Sequence, residues 1–403
     1  MKKLQIFLLW TILFTVLVFY AGNGCKKSTS PTPAPGLGSI AIFSTPSGAT
    51  ISLDGSATGK ITPDTLKNVS AGNHQIKLSY SGYRDTTLTV SVAANATSTL
   101  NANLPAYIGT WSLQTSGTTE FLRAVDFVDA NKGWVGGTNG TVLHTTDGGT
   151  TWLKPAISQL QGKEVQDLDF SDSSNGCILY GDWSGEIIYT VNGGNTWSSA
   201  YISNRLYINQ ASHPHSGGIK VLDRYHAWAC GMSDSAGYLF PVVYFSSGLG
   251  YWGRVYLGRS TPATYSAIDF IDVNNGCVIS GDYMVYGLTT TDGGNNWGAD
   301  YQLSYKVAVD YAELGKIWSI KDKTLYGPGG LTYQASDSLR GLSFVNGNIG
   351  WAVGDNGGIY HTTNGGITWI KQNSGVGIQL NDISCVDATH CWAVGVGGVV
   401  IAL

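Results

Sequence analysis

Beyond residue 25 the chain shows no long helical periodicity; apolar and polar residues alternate in short runs closed by glycine-rich turns. One alternating run recurs. Leu122-Arg123-Ala124-Val125-Asp126-Phe127 leads to Gly133-Trp134, and Val165–Phe170 leads in the same way to Gly176-Cys177. Tyr265–Phe270 leads to Gly276-Cys277, Leu339–Phe344 to Gly350-Trp351, and Leu380–Cys385 to Cys391-Trp392. Shorter versions run from Ile219 to Trp228 and from Val309 to Trp318, which makes seven units in residues 107–403. A second run follows the first in most units. It reads His144-Thr145-Thr146-Asp147-Gly148-Gly149-Thr150-Thr151-Trp152, with further copies at 189–197, 288–297 and 361–369 and a worn one at 245–252. Its aspartate or asparagine (Asp147, Asn192, Asp292, Asn364) accepts backbone N–H bonds, and its paired glycines take positive φ at little cost. Each copy predicts a β-hairpin with an aromatic anchor on the outgoing strand.

Units of about 42 residues with β patterning predict a propeller of some four strands per blade, seven blades here. The last unit stops at Leu403 without its fourth strand. Gly109–Gly117 (GTWSLQTSG) reads like Ile367–Gly375 (ITWIKQNSG), so an N-terminal strand is expected to complete the seventh blade and close the ring. Ahead of the propeller, residues 38–104 alternate over several short segments broken at Asp54-Gly55, Thr62-Pro63, Gly72-Asn73 and Gly82-Tyr83, which predicts a small β-sandwich. The fold class is all-β throughout.

Three resemblances follow from these strings. The hairpin unit resembles the Asp-box of bacterial sialidase (BNR) repeats. Residues 38–104, with Pro46-Ser47-Gly48-Ala49, Asp54-Gly55, Thr62-Pro63, Gly72-x-His74 and Gly82-Tyr83, resemble the PEGA domain, a module of envelope proteins to which no catalysis is attached. Residues 107–403 resemble the photosystem II stability/assembly factor family through L-R-x-[VL]-x-F, G-W-x-V-G and the Asp-box. That resemblance implies a non-enzymatic seven-bladed propeller that binds a newly made membrane subunit through an arginine-rich patch near the axis. Arg123 and Arg340 stand at the arginine position, Lys220 is assigned to it in the third unit, and Gln166, Ser266, Asp310 and Asn381 depart from it.

The N-terminus adds a location. Met1-Lys2-Lys3, an apolar run from Leu4 to Tyr20 and Ala21-Gly22-Asn23-Gly24-Cys25 form a secretory signal that resembles a lipoprotein signal peptide over residues 1–25, with Cys25 as the lipidated residue; the alternative is an uncleaved anchor helix, for which the apolar run barely reaches the roughly 17–20 residues a span needs. Residues 26–37 form a Pro/Ser/Thr tether. An exported, lipid-anchored protein at the outer membrane or cell surface is expected, and in that compartment Cys385 and Cys391 pair as a disulfide. Cys177, Cys230 and Cys277 read as buried strand residues.

Composition narrows the chemistry. The chain of 403 residues has formal charge −4, which removes the basic footprint of a nucleic-acid binder. Only Glu120, Glu164, Glu186 and Glu313 supply glutamate, so carboxylate pairs for glycoside hydrolysis are few. Asp167 with Asp382 is one conceivable pair, and the F-R-I-P signature of sialidases is absent, with Phe121-Leu122-Arg123-Ala124 in its place. Asp126, Asp169 and Asp269 recur at one inner-strand position, where they either ring a channel or satisfy backbone groups between blades. His213-Pro214-His215 lacks a partner cluster for a metal site. No cofactor, metal or catalytic residue is assigned. The expected work is binding of an envelope or membrane protein at the patch of Arg123, Lys220 and Arg340. The alternatives are polysaccharide binding through Trp183, Tyr201, Tyr207, Tyr251, Tyr283 and Tyr286, or a sialidase-like glycoside hydrolase.

Overall fold

The computed structural model describes residues 36–403 apart from 81, 108, 182–183, 204–205, 208–216, 236–237, 256, 258–264, 281–286 and 304–305. The signal segment with Cys25, residues 26–35 of the tether, Trp183, Tyr283, Tyr286 and His213-Pro214-His215 therefore lie outside the described residues. Within them the secondary structure is strand with a few single turns of 3-10 helix, and no helix is long and apolar enough to cross a membrane.

Residues 37–103 form two packed sheets. One orders Asp64–Ser70, Leu37–Thr45 and Thr97–Asn103; the other orders Ser56–Ile61, Thr50–Leu53, Gly72–Ser79 and Thr86–Val92. Alternation supplies the core. Ile40 and Ile42 from the first sheet meet Ile51, Ile76 and Leu78 from the second, all fully or almost fully buried, while intervening residues face water. His74 is held by Asp54 and Ser70, which accounts for it structurally.

From Ser112 onward the sheets are arranged around an axis. Among the described residues the innermost strands are Leu122–Phe127, Val165–Phe170, Gly218–Asp223, Tyr265–Phe270, Ala308–Glu313, Leu339–Phe344 and Leu380–Asp387. Each lies against the next, and Leu380–Asp387 lies against Leu122–Phe127. The last repeat contributes three strands, and Ser112–Gln114 pairs antiparallel with Val400–Ala402 as the fourth. Three repeats depart from the simple pattern. In the first, the fourth strand is reduced to a bridge between His144 and Leu153. The second and third share one ten-stranded sheet, because Leu206–Tyr207 bridges Ser184-Gly185 and Met232-Ser233, and Tyr201-Ile202 pairs in parallel with Tyr251-Trp252.

Neighbouring repeats are locked by aromatic stacks. At four of the junctions a phenylalanine that ends the inner strand lies flat on the tryptophan of the preceding repeat. Phe127 stacks on Trp392 at 3.5 Å, Phe170 on Trp134 at 3.7 Å and Phe270 on Trp228 at 3.7 Å, with Phe344 on Trp318 at 5.2 Å. The hairpin tryptophan of the same repeat then meets that phenylalanine edge-on: Trp152, Trp197, Trp297 and Trp369 at 5.8–6.1 Å. Where the tryptophan is replaced, so is its partner. Cys177 packs in one core cluster with Val221, and Cys277 in another with Tyr311. Behind Trp351 stands Cys385, bonded to Cys391. Cys177, Cys230 and Cys277 are buried free thiols.

The stack predicts a position-dependent cost. Phe270→Ala removes a face-on and an edge-on aromatic contact and should lower unfolding stability by about 3–5 kcal/mol. Val221→Ala, at the equivalent strand position beside Cys177, should cost clearly less. Denaturant unfolding of both variants checks this; equal losses would mean that the aromatic stack adds nothing beyond an ordinary apolar contact.

Candidate functional site

The axial site is built by one strand irregularity repeated around the ring. In the inner strands the register skips a residue at Arg123, Gln166, Ser266, Arg340 and Asn381. Each such bulge leaves its residue out of the ladder. All five line a single cavity of about 140 Å³, joined by Gly217 and Val307 from the third and fifth repeats. This is the mouth at one end of the axis. Two residues deeper, Val125, Leu168, Ile219, Ile268, Val309, Leu342 and Ile383 form an apolar ring. One residue further stand Asp126, Asp169, Lys220, Asp269, Asp310, Ser343 and Ser384, lining a cavity of about 170 Å³.

This register corrects the placement of Lys220. It does not share the level of Arg123 and Arg340; it pairs across the ladder with Trp228 as Asp126 pairs with Trp134. The residue at the arginine level in the third repeat is Gly217, and Asp310 likewise belongs to the deeper ring, with Val307 at the mouth. The sequence carries the signal, since Lys220 is eight residues before Trp228, the spacing of Asp126 from Trp134. The mouth therefore brings together Arg123 and Arg340, each already paired. Arg123 Nη2 lies 2.7 Å from Glu164 Oε2, and Arg340 Nε lies 2.7 Å from Asp355 Oδ1. Sequence reasoning misses both carboxylates, because they come from loop positions outside the repeated strings.

The deeper ring hands hydrogen bonds from repeat to repeat. Asp126 Oδ2 accepts from the backbone N–H of Phe170, Asp169 from Val221, Asp269 from Tyr311 and Asp310 from Phe344. Ser343 accepts from Cys385, and Ser384 from Phe127. Lys220 cannot accept, and the N–H of Phe270 turns instead to its own neighbour's carboxylate, Asp269 Oδ1. The Lys220 ammonium sits 3.5 Å from Asp169 and 3.3 Å from Asp269. Asp167 and Asp382, the conceivable carboxylate pair, are used in the same way: Asp167 accepts from Ile219 N–H and Asp382 from Val125 N–H.

Four carboxylates around one ammonium set the local electrostatics. Burial, and then the Asp169 charge, push Asp126 up to about 8; burial and the Asp269 charge do the same to Asp310. Burial raises Asp382 to about 6 and Asp167 well above the carboxylate range. Burial opposes the charge on Lys220, but Asp169, Asp269, Asp126 and Asp310 more than offset it and hold the ammonium protonated.

The hairpin residues are bound up locally. Asp147 accepts from Thr151 N–H and from the hydroxyls of Thr145 and Thr151. Asn192, Asp292 and Asn364 likewise accept from the N–H four residues on; Asp292 also accepts from the Asn296 amide, while Asn192 and Asn364 donate theirs to the hydroxyls of Thr196 and Thr368. Among the described residues no group of three or more His, Cys, Asp or Glu could hold a metal ion. Ser336, Tyr360 and Lys371 form a small cluster, with Ser336 Oγ 2.7 Å from Tyr360 Oη and 3.2 Å from Lys371 Nζ. Asp337 lies 2.6 Å from that ammonium and raises its pKa, so Lys371 is unsuited to act as a base. Of the aromatics considered for sugar binding, Tyr207 is partly buried in the shared sheet, while Tyr201 and Tyr251 are exposed and stacked at 5.6 Å.

The axial ring makes stability depend on pH in a defined direction. Asp126 and Asp310 bind their protons more tightly folded than unfolded. Their contribution is complete below the ordinary carboxylate pKa of about 4 and is lost as pH rises toward about 8. Asp310→Asn keeps an acceptor for Phe344 N–H and removes one titration. Its melting temperature should fall less between pH 5 and pH 8 than that of the wild type; an unchanged fall in differential scanning calorimetry would remove Asp310 from the account.

Comparison with known proteins agrees with this architecture. Residues 37–107 match the PEGA domain, and residues 105–213 match the photosynthesis system II assembly factor YCF48. No curated protein matches the chain. The solved structure of YCF48 bound to D1 peptide is 18% identical with a TM-score of 0.57, over 73% of this chain and 96% of that one. YCF48 from Cyanidioschyzon merolae is 18% identical with a TM-score of 0.55, over 73% of this chain and 98% of that one. The chain is thus similar to a PEGA domain followed by a propeller with the fold of YCF48.

Proposed function

We propose that this protein is a non-catalytic, exported and lipid-anchored binding protein that holds a segment of another envelope or membrane protein at the axial mouth. The observation that carries the reading is the bulged ring of the mouth. Arg123, Gln166, Ser266, Arg340 and Asn381 leave the ladder at one level; Gln166, Ser266 and Asn381 turn their donors onto the carbonyls of Gly181, Lys306 and Leu122 and brace the rim, which leaves the guanidinium groups of Arg123 and Arg340 as its charged donors. Both arginines are partly exposed in their ion pairs. A partner's carboxylate or C-terminus that competes with Glu164 or Asp355 gains charge-assisted hydrogen bonds from the planar guanidinium groups. A protein of similar fold, YCF48, has been solved bound to D1 peptide, and peptide binding by that propeller supports the same use of this one. The export pattern ending in Cys25 and the Cys385–Cys391 disulfide both suit an oxidising compartment.

A second reading has one observation in its favour. Tyr201 and Tyr251 are 63% and 58% exposed and lie side by side at the seam of the second and third repeats, an arrangement on which a sugar ring can stack.

The test is cross-linked recovery from native cells with wild type and with Arg123→Ala/Arg340→Ala. A membrane or envelope protein recovered with wild type and reduced about tenfold or more with the double variant supports the mouth, since two charge-assisted contacts at about 1.5 kcal/mol each are lost. Lys220→Ala is the wrong probe, because it strips the partner from Asp169 and Asp269 and should destabilise the fold. Equal recovery of a protein by both variants overturns the proposed site. Recovery of polysaccharide that is lost in Tyr201→Ala/Tyr251→Ala replaces it with the sugar-binding reading.

A further inference from the structure

The joint between the small sandwich and the propeller decides which way the mouth faces. In the sandwich, Leu37–Thr45 runs parallel to Thr97–Asn103, with Ser39 beside Thr97 and Thr45 beside Asn103. Asn103 leads directly into Ala106 and the propeller, so the Thr45 end is near the joint and the Leu37 end is remote from it. Backbone bonds fix that remote end: Asn95 N–H donates to the carbonyl of Leu37, and Ala71 N–H to that of Gly36. A nine-residue strand separates the two ends by about 26 Å.

The joint itself is a tight one. Tyr83 bridges Ala106, Tyr107 N–H donates to the carbonyl of Gly82, and Arg84 N–H to that of Pro105. Across the domain boundary the Tyr83 hydroxyl donates to the carbonyl of Thr363 at 3.2 Å. Gly82 takes φ +76°, and a Cβ there would fall 2.6 Å from Ile349 Cδ1. A side chain there would have to displace the buried Ile349 and adopt a left-handed backbone conformation, so the position favours glycine.

Ile349 and Thr363 belong to the sixth repeat, and the register places them at one end of its sheet. Phe344 pairs with Gly350, and Gly350 with Thr362, so both joint residues flank the hairpin-turn end of the repeat. Arg340 lies four residues from Phe344 on the same strand, at the opposite end, about 13 Å away.

We infer that the sandwich is a rigid spacer docked on the hairpin-turn face, so that the Arg123–Arg340 mouth opens away from the end at which the chain's N-terminal segment attaches. This rests on the proposed reading of the mouth as the binding site and of the N-terminal segment as a lipid anchor, and it specifies the partner. A ligand of the mouth arrives from the aqueous side opposite the attachment point. It is an extended polar segment of another envelope or membrane protein, and not a segment still embedded in the bilayer that holds the anchor.

Distances within the purified full-length chain test the geometry without any partner. Ketone-bearing residues carrying nitroxide labels, which leave the cysteines untouched, are placed at Thr97 with Ile367 on the hairpin turn, and at Thr97 with Ile378 on the mouth side. Pulsed electron resonance should give two narrow distributions, with the Thr97–Ile367 distance the shorter. In Gly82→Arg, whose side chain cannot fit against Ile349, both distributions should broaden while the circular-dichroism spectrum is retained. Broad distributions in the unmodified joint, or a shorter distance to Ile378, would overturn the inference. Failure of the mouth as a binding site would appear separately, as unchanged partner recovery in the double arginine variant with the distances as expected.

Discussion

The ring depends on a single contact repeated with variations: the flat packing of one repeat's strand-end phenylalanine on the previous repeat's tryptophan. A four-stranded antiparallel blade cannot bury both faces by itself, so each must present one face to each neighbour. Here the face is a pair of large rings at 3.5–5.2 Å in four of the junctions. The other three junctions show that the constraint is on volume shared between repeats and not on either residue alone. Cysteine in place of tryptophan goes with Val221 or Tyr311, and Trp351 goes with the compact Cys385–Cys391 disulfide. Close-packed interiors tolerate such exchanges when the total is kept.

The second constraint is polar and runs parallel to the first. The N–H of the stacked residue cannot join its own ladder at this position, and an inner-strand side chain of the previous repeat takes it. Aspartate does so four times and serine twice. The price is a crowd of carboxylates on the axis, and Lys220 relieves it at the one position where an acceptor is given up. That substitution holds together because Asp269 covers Phe270 N–H as well as Tyr311 N–H with its two oxygens. The axial aspartates are therefore committed to holding repeats together. At the mouth, by contrast, Arg123 and Arg340 are held by side-chain ion pairs and not by a bond to the neighbouring repeat's backbone, which is why the proposed binding site is placed there.

What can be read in advance follows from how local each feature is. The hairpin turns are encoded within eight or nine consecutive residues, so Asp147, Asn192, Asp292 and Asn364 can be assigned roles from sequence, and their hydrogen bonds lie within those residues. The strand Ser112–Gln114 is legible because it repeats Ile370–Gln372 in type. Lys220 is easily misplaced because Gly217-Gly218 opens its strand without the leucine and arginine that mark the others. The merging of the second and third repeats is not legible at all. Parallel pairing of Tyr201 with Tyr251 joins residues fifty positions apart, and no local pattern reports it.

The same argument explains why the arginine patch reads as more basic in sequence than it is in the fold. A repeat motif displays what recurs, and Arg123 and Arg340 recur. Glu164 and Asp355 do not: one precedes an inner strand, the other follows a second strand. Glu164 reaches Arg123 through the curvature of the ring, which brings the start of one repeat against the mouth of its neighbour. Asp355 reaches Arg340 from the turn that leaves the second strand of the same repeat. Charge at the mouth is thus set by non-repeating positions laid over a repeating frame. Binding specificity in such a propeller is accordingly sought in the residues that break the pattern, because the residues that keep it are occupied with neighbouring repeats.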